Sequence, residues 1–242
     1  MPEGPSLLIL KESAEIFKSK EIIQVSGNTK TDKERLLHKT VIDIKTWGKH
    51  LLLCFEDFTL KIHLMMFGSC LVNDSKDVPV RLHLKFADGE INFYNCSVKF
   101  LEGWVDTLYD FSSDVLSDEW NAEKAKKKLS QIPDEKVCDA LLEQDIFSGV
   151  GNIIKNEVLY RIRVHPDTFL KNLPDAKTNE LIAEARNYSF DFLRWKKQYI
   201  LAKHWLVYHK GSCPVCTQKI TCRYTGKKNR VSYFCENCQR LY

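Results

Sequence analysis

The sequence predicts an α+β multidomain protein: an N-terminal helix with a two-layer β-sandwich, a helical domain, and a small zinc-finger hairpin. Three observations predict this fold. Short β-type runs separated by turn signals fill residues 21–105, helical patterns follow, and two Cys-x-x-Cys pairs lie near the C-terminus. We place the domains at residues 1–113, 114–205 and 206–242.

Within the first domain, residues 5–19 are expected to form a helix, because Pro5 suits a first helical turn and apolar residues recur on one face. Strands are expected at residues 40–44, 50–55, 59–65, 80–86 and 90–94. Turn signals such as Asp88-Gly89 separate these runs. The pattern favours a meander or a two-layer sandwich that carries its functional residues on loops.

The second domain is predicted to be helical. Its first helix is expected to start at Ser117-Asp118-Glu119, a combination typical of a helix N-terminus. Helical patterns also cover residues 123–129, 133–142, 152–161 and 176–195. Residues 208–242 are rich in cysteine and typical of a β-hairpin.

The composition is that of an ordinary globular protein, and 242 residues can bury a real core. No apolar run approaches transmembrane length and residues 1–20 lack a secretory pattern, which predicts a protein of the bacterial cytoplasm or nucleoid without a membrane partner. The net charge of +4 is unevenly distributed, since Arg194 to Tyr242 contains 11 Lys and Arg and a single acid, Glu236. This basic segment, with aromatic residues interleaved, indicates a polyanion partner rather than a solvated tail.

Four of the nine cysteines form two pairs, Cys213 with Cys216 and Cys235 with Cys238, separated by 18 residues. This spacing is typical of a zinc ribbon, in which two turns each supply two thiolates to a tetrahedral ion. We expect one structural zinc ion, because four thiolates leave no position for a catalytic water. Cys222, between the pairs, is an alternative ligand. The remaining cysteines are expected to be small apolar core residues: Cys54, Cys70, Cys96 and Cys138.

Gly149 and Gly151 lie directly before the helix predicted to start at Asn152. The two glycines allow a sharp turn, and the exposed amides of a helix N-terminus suit a phosphate group. On its own, the pattern also fits an ordinary helix–helix connection.

Pro2 would carry a secondary amine after removal of Met1. Such an amine condenses with an aldehyde to an iminium ion, which is an electron sink for covalent catalysis, and Glu3 places a carboxyl group one residue away. With Met1 attached, the Pro2 nitrogen is an unreactive amide, so catalysis requires the removal. Taken alone, a proline at position 2 also fits a processing signal.

In this order, the proline, the glycine-hinged turn and the basic zinc hairpin resemble the formamidopyrimidine-DNA glycosylase/endonuclease VIII family of base-excision repair enzymes. The resemblance extends over essentially the whole chain, in short blocks at residues 2–5, 47–52, 63–68, 114–117, 149–153 and 230–238. It implies a bifunctional DNA glycosylase/AP lyase that binds damaged DNA as a monomer. It also implies a helix–two-turn–helix domain at the centre of the chain, and neither a catalytic metal nor an organic cofactor.

The resemblance implies catalytic roles for three residues. Pro2 would attack C1′ of the damaged nucleoside, expel the base and form a Schiff base. Glu3 would assist opening of the sugar ring as a general acid, and Lys49 would contact a phosphate near the lesion. Strand cleavage by β-elimination, usually followed by δ-elimination, would proceed from the same iminium.

Three more residues match DNA contacts of the family. Asn152 and Arg230 correspond to phosphate ligands of the helix–two-turn–helix motif and of the zinc finger. Met66 occupies the position of the side chain that fills the space left by the flipped base, with Met65 and Phe67 as neighbouring candidates. Without the resemblance, Met65 and Met66 would be predicted to lie in the core.

The chain departs from the formamidopyrimidine branch at three places. Residues 94–99 contain no arginine where that branch has a pair, and residues 195–208 are short and free of glycine where it has a long loop over 8-oxoguanine. Both departures favour the endonuclease VIII side, with oxidised pyrimidines or further-oxidised purines as substrates. Ser6 replaces a glutamate of many relatives, which leaves reduced activity open.

Two alternatives to the enzyme remain. One is a catalytically weak or silent protein that binds damaged DNA or abasic sites on the same scaffold. The other is a zinc-finger transcription regulator, for which a single four-cysteine finger offers little base-reading surface. Both duplex and single-stranded damaged DNA fit the sequence as partners.

Overall fold

The structure is a computed structural model that describes residues 2–242. Met1 lies outside the described residues. The chain divides into two compact units, the first ending at Asp110 and the second running from Phe111 to Tyr242. The predicted α+β class, with an N-terminal helix, a β-sandwich and a helical part that ends in a cysteine hairpin, is confirmed.

In the first unit, α1 spans Gly4–Ala14 and continues into a 3-10 turn at Glu15–Phe17. A second 3-10 turn covers Lys33–Leu36. The strands are β1 (Gln24–Ser26), β2 (Asp43–Trp47), β3 (His50–Cys54), β4 (Phe58–Val72), β5 (Leu82–Phe86) and β6 (Gly89–Glu102). A short helix, α2, follows at Val105–Leu108.

All six strands belong to one antiparallel sheet in the order β1-β5-β6-β4-β3-β2. The two longest strands run through both halves of it: residues 58–64 of β4 pair with 96–102 of β6, and residues 69–72 pair with 91–94. Both halves share a single core with α1, in which Leu7, Leu53 and Phe93 are fully buried. One continuous sheet therefore forms both layers of the sandwich.

Strands β4 and β6 extend well beyond the predicted runs at 59–65 and 90–94. The register of their pairing shifts between Leu64 and Ser69. Such a bulge breaks the period-two alternation by which a strand is recognised, although the strand itself continues.

The second unit contains α3 (Ala122–Ser130), α4 (Val137–Ala140), α5 (Asn152–Arg161) and α6 (Asp175–Lys197), followed by the hairpin of β7 (Thr221–Thr225) and β8 (Arg230–Phe234). Its 3-10 turns are Phe111–Ser113, Leu170–Asn172 and Leu201–His204. Only the short α4 occupies the helix predicted over 133–142. Within residues 2–242, every helix is too short or too polar to cross a bilayer.

The predicted helix start at Ser117 is wrong. Ser117 Oγ instead accepts a hydrogen bond from the backbone N–H of Glu119 at 3.1 Å, which stabilises a local turn. The helix begins at Ala122, because Asn121 Oδ1 accepts from the N–H of Lys124 at 2.9 Å and caps the first turn.

Candidate nucleic-acid interface

The two N-terminal residues assigned to catalysis directly precede α1. Pro2 is partly exposed, whereas Glu3 is only 1% exposed. The carbonyl of Glu3 accepts from the N–H of Ser6 at 2.8 Å, and Pro5 lies in the first turn, where a missing N–H costs nothing. The start of the helix thus fixes a buried, carboxyl-bearing residue beside a reachable proline. The methionine that must be removed, Met1, lies outside the described residues.

Lys49 lies in the tight turn between β2 and β3. Trp47 pairs directly with His50, which leaves only Gly48 and Lys49 in the loop. Gly48 has a φ of 54°, a left-handed conformation that two-residue hairpins require and that glycine adopts without strain. The carbonyl oxygen of Lys49 lies 3.1 Å from Nδ1 of His63, so the neighbouring strand β4 fixes the turn.

An aromatic cluster supports the same turn. The ring centroids of Trp47 and Tyr109 lie 5.0 Å apart, and those of His50 and His63 lie 5.3 Å apart. Burial, assisted by the charges of nearby lysines and His63, lowers the pKa of His50 to about 3, and burial raises the pKa of Tyr109 to about 12. Both groups are therefore neutral at physiological pH, and lysine supplies the positive charge at this corner of the sheet.

Residues 65–68 bulge out of β4 and form what we call the β4 protrusion. Its apolar side chains face solvent: Met65 is 47% exposed, Met66 53% and Phe67 87%. The expectation from residue type alone, that the methionines lie in the core, is wrong. Asn95, opposite on β6, donates from Nδ2 to the carbonyl oxygen of Met66 at 2.8 Å.

In the second unit, Gly149 turns the chain with a φ of 97° just before α5. Asn152, the first residue of α5, donates from Nδ2 to the carbonyl oxygen of Val231 at 3.0 Å. Its Oδ1 is buried and has no hydrogen-bond partner within residues 2–242. Because Val231 follows Arg230 in β8, Asn152 is hydrogen-bonded to the strand that carries the other predicted phosphate ligand of this unit.

Buried polar residues that the sequence analysis missed join α5 to β8. Lys155 is fully buried, and its Nζ donates to the carbonyl oxygen of Val231 at 3.1 Å and to Oγ of Ser232 at 2.9 Å. Asn156 Oδ1 accepts from the N–H of Tyr233 at 2.8 Å. These bonds fix the register between the helix N-terminus and the hairpin.

Glu157, also fully buried, anchors the segment that enters the cysteine hairpin. Its carboxylate accepts from the backbone N–H groups of Leu206, Val207 and Tyr208 at 2.8, 3.0 and 2.8 Å. Burial raises the pKa of Glu157. Lys155, Asn156 and Glu157 follow one another along α5 and point to different sides of it, so the helix has no separate polar face, and residue type alone does not indicate that all three are buried.

The turn between β7 and β8 is held by Asp139 of α4. Its carboxylate oxygens accept from the N–H groups of Lys227 at 2.7 Å and Lys228 at 3.0 Å. Gly226 adopts a φ of 66°, and a Cβ on it would lie 2.2 Å from Oδ2 of Asp139. This close fit determines where Arg230, the first residue of β8, leaves the turn.

We expect Gly226→Ala to displace the turn, because the added methyl group meets a fixed carboxylate and the left-handed conformation is strained. A loss of about 1–3 kcal/mol in the free energy of unfolding is expected, with weaker DNA binding. Gly211→Ala is the matched control, since within residues 2–242 no atom beyond its chain neighbours lies within 4 Å of a Cβ at Gly211. Urea unfolding and DNA titrations measure both; equal effects of the two substitutions would contradict the role given to Asp139.

The four paired cysteines converge. Their Sγ atoms all lie within 4.8 Å of one another, with Cys213 and Cys238 at 3.7 Å and Cys216 and Cys235 at 3.4 Å. Four sulfurs at the usual Zn–S bond length of about 2.3 Å stand about 3.8 Å apart in a tetrahedron, so the cluster fits one zinc ion. Cys222 is exposed and lies outside the cluster, which excludes it as the alternative ligand.

The other four cysteines lie in the cores, as predicted. Cys54, Cys96 and Cys138 are buried, and the partly buried Cys70 packs against the core of the first unit. Burial raises the pKa of Cys54 and of Cys96 to about 11, so these thiols are protonated at neutral pH.

Two protein-family models match the chain. The formamidopyrimidine-DNA glycosylase N-terminal domain matches residues 1–101, and the formamidopyrimidine-DNA glycosylase H2TH domain matches residues 111–189. Among curated proteins, endonuclease 8-like 3 of Bos taurus is 32% identical over 206 residues, which are 81% of this chain and 34% of that protein. Endonuclease 8-like 2 of Mus musculus is 34% identical over 195 residues, 74% of this chain and 57% of that protein. The chain thus spans about a third of the length of the former relative and under two thirds of the latter.

Solved structures share the fold over nearly the full length. A Lactococcus lactis formamidopyrimidine-DNA glycosylase, non-covalently bound to DNA containing an AP site, superimposes with a TM-score of 0.85 at 21% identity, covering 98% of this chain and 99% of that one. A viral DNA glycosylase superimposes with a TM-score of 0.83 at 20% identity, covering 98% of this chain and 100% of the other.

Proposed function

The chain belongs to the formamidopyrimidine-DNA glycosylase/endonuclease VIII family, and on this premise we propose that it is a bifunctional DNA glycosylase/AP lyase of base-excision repair. The observation that carries the proposal is the start of α1. There a partly exposed Pro2 adjoins Glu3, a carboxyl-bearing residue withdrawn from water. Such a pair suits covalent catalysis by an amine with a neighbouring acid.

In the proposed reaction, the Pro2 nitrogen, freed by removal of Met1, attacks C1′ of the damaged nucleoside and the base leaves. Opening of the sugar ring gives an iminium ion, with Glu3 supplying a proton to the ring oxygen. The iminium withdraws electrons from C2′, so loss of a C2′ proton expels the 3′ phosphate in β-elimination. A second elimination expels the 5′ phosphate, and water releases the amine.

Lys49 is proposed to hold a phosphate close to the reacting sugar. Its turn is fixed by Gly48 and by the contact with His63, so the ammonium group acts from a rigid support. Because burial lowers the pKa of His50, its imidazole is neutral. In the proposed complex the positive charge next to the phosphate is therefore that of Lys49.

In the second unit, we propose that the N-terminus of α5 and the β7–β8 hairpin bind the DNA backbone. The side chain of Asn152 is hydrogen-bonded to the strand that begins with Arg230, and Lys155 donates a second hydrogen bond to the same carbonyl oxygen of that strand. A helix N-terminus beside an arginine favours a phosphodiester group. Damaged DNA is the proposed partner, bound by a monomer.

We assign one structural zinc ion to Cys213, Cys216, Cys235 and Cys238, whose geometry fits it. When bound, the ion would supply the folding energy that so short a hairpin lacks. Four thiolate ligands leave no position for substrate or water, so the steps above rest on protein side chains.

Arg230→Ala is expected to weaken binding to every DNA tested by a similar factor, because a phosphate contact carries no base information. The slope of log K against log salt concentration should fall in magnitude by about 1. Lys219→Ala removes an exposed positive charge from the same hairpin segment and serves as the control. A change in base preference without a change in slope would contradict the phosphate role.

A panel of oligonucleotides, each carrying one oxidised base, tests the proposed function. We expect base release and strand cleavage with oxidised pyrimidines or further-oxidised purines, because the chain lacks the paired arginines and the long loop of the 8-oxoguanine branch. Tight binding to abasic DNA without base release, cleavage or a covalent adduct would instead identify a silent damage-binding protein.

A further inference from the structure

Side chains of α5 bond to the edge of β8 that β7 leaves open. Strands β7 and β8 form a two-stranded sheet, in which β7 pairs with one edge of β8. On the other edge, the carbonyl oxygen of Val231 accepts from Nδ2 of Asn152 at 3.0 Å and from Nζ of Lys155 at 3.1 Å. The N–H of Tyr233 donates to Oδ1 of Asn156 at 2.8 Å. These side chains take the place of a third strand and fix β8 along the helix.

Within this set, Lys155 also bonds to the face of β8 that carries Arg230. Its Nζ donates to Oγ of Ser232 at 2.9 Å, and Ser232 lies two residues after Arg230, so their side chains share one face of the strand. Oγ of Ser232 lies 2.6 Å from Oγ1 of Thr225, and Thr225 pairs directly with Arg230 across the hairpin. The ammonium group is thus linked to both strands at the position of Arg230.

The oxygens that Lys155 bonds do not depend on it for a partner. The carbonyl oxygen of Val231 also accepts from Asn152, and the hydroxyl of Ser232 also bonds to Thr225. Lys155 is fully buried, and withdrawing an ammonium group from water is unfavourable. A buried charge that is not needed to satisfy its neighbours contributes little to the stability of the fold. What it does determine is where the Arg230 face of β8 lies against α5.

We propose that Lys155 is a positioning residue for DNA binding, which holds the Arg230 face of β8 beside the N-terminus of α5 so that both meet the DNA backbone. The proposal rests on the proposed function, in which Arg230 is a phosphate ligand. Because its side chain is fully buried, Lys155 acts through Arg230 and not by touching DNA.

The test is a double-mutant cycle of Lys155→Met and Arg230→Ala, because methionine keeps the length of the side chain and removes the charge. Each protein is titrated with an undamaged duplex and with the same duplex carrying a stable abasic-site analogue, over a range of salt concentrations. Urea unfolding gives the stability of each protein. Lys177→Met is the matched control, since Nζ of Lys177 donates to the carbonyl oxygen of Ile162 at 2.9 Å and so makes the same kind of bond elsewhere in the unit.

We expect Lys155→Met to weaken binding to both duplexes by about 10-fold, the effect of misplacing one charged hydrogen bond. The slope of log K against log salt concentration should fall in magnitude by about 1, as for Arg230→Ala, because the same phosphate contact is lost. In the Arg230→Ala background, Lys155→Met should cause no further loss. The urea midpoint of Lys155→Met should equal or exceed that of the unsubstituted protein, and Lys177→Met should bind DNA normally.

Unchanged DNA affinity of Lys155→Met, a loss that adds fully to that of Arg230→Ala, or a lowered urea midpoint would overturn the proposal. If Lys155→Met does not fold, Ser232→Ala decides: it removes the accepting hydroxyl and should weaken binding by about 3-fold, again only when Arg230 is present. Failure of the proposed function is distinguishable. Arg230→Ala would then change neither affinity nor slope, and the positioning role would fall with it.

Discussion

Protein with one additional residue ahead of Pro2 is expected to form no borohydride-trapped adduct with abasic DNA, whereas protein that begins at Pro2 forms one. The extra peptide bond converts the secondary amine into an amide, which cannot condense with the aldehyde of the opened sugar. Strand cleavage should fall by about 10³-fold or more, because removal of a nucleophile stops every later step. Gel analysis of reduced reactions measures both quantities.

The control for this experiment is the same extended protein after proteolytic removal of the extension, which should recover trapping. Binding to a stable abasic analogue should persist in both forms, because the proposed phosphate contacts of Asn152 and Arg230 lie far along the chain. An extended protein that still forms the adduct would move the nucleophile to a lysine.

Cys235→Ser is expected to release the zinc ion and to unfold the hairpin that carries Arg230. Cys235 is fully buried, and its Sγ lies 3.4 Å from that of Cys216. Structural zinc contributes about 10 kcal/mol or more in comparable short fingers, far beyond what a hairpin of this size gains from burial. DNA affinity should therefore fall by about 100-fold or more, the factor that the loss of about 3 kcal/mol of contacts produces.

Cys222→Ser is the matched control, because Cys222 is exposed on β7 and lies outside the cluster. It should keep one zinc ion per chain and the DNA affinity of the unsubstituted protein. Metal analysis after dialysis gives the zinc content, and circular dichroism shows whether the helical content of the protein is retained. Full zinc content in Cys235→Ser would refute the four-thiolate site.

Local signals in the sequence were sufficient for several elements. Two glycines fix where α5 begins, and the cysteine spacing predicts the cluster, because in both cases a short stretch determines its own geometry. A local signal of the same kind gave a wrong helix start at Ser117. There a side chain that could have capped a helix stabilises a turn instead. Because a serine side chain can bond to nearby backbone groups in a helix cap and in a turn, the sequence pattern does not distinguish the two.

The remaining features depend on distant parts of the chain. In the β4 protrusion the carbonyl oxygen of Met66 accepts a hydrogen bond from the side chain of Asn95 on β6, and nothing near Met66 in sequence indicates that contact. Lys155 would be expected on a solvated face by residue type, yet the carbonyl oxygen of Val231 and the hydroxyl of Ser232 satisfy it inside the second unit. Such pairings are determined by tertiary packing between distant segments, which the periodicity of a sequence does not indicate.

The most direct test of the catalytic assignment is peptide mapping of the borohydride-reduced complex between the processed protein and an abasic duplex. After protease and nuclease digestion, mass spectrometry locates the residue that retains the sugar fragment. We expect a single modified peptide that begins at Pro2, with the added mass on its N-terminal nitrogen. Modification of Lys49 or another lysine, with Pro2 unmodified, would contradict it.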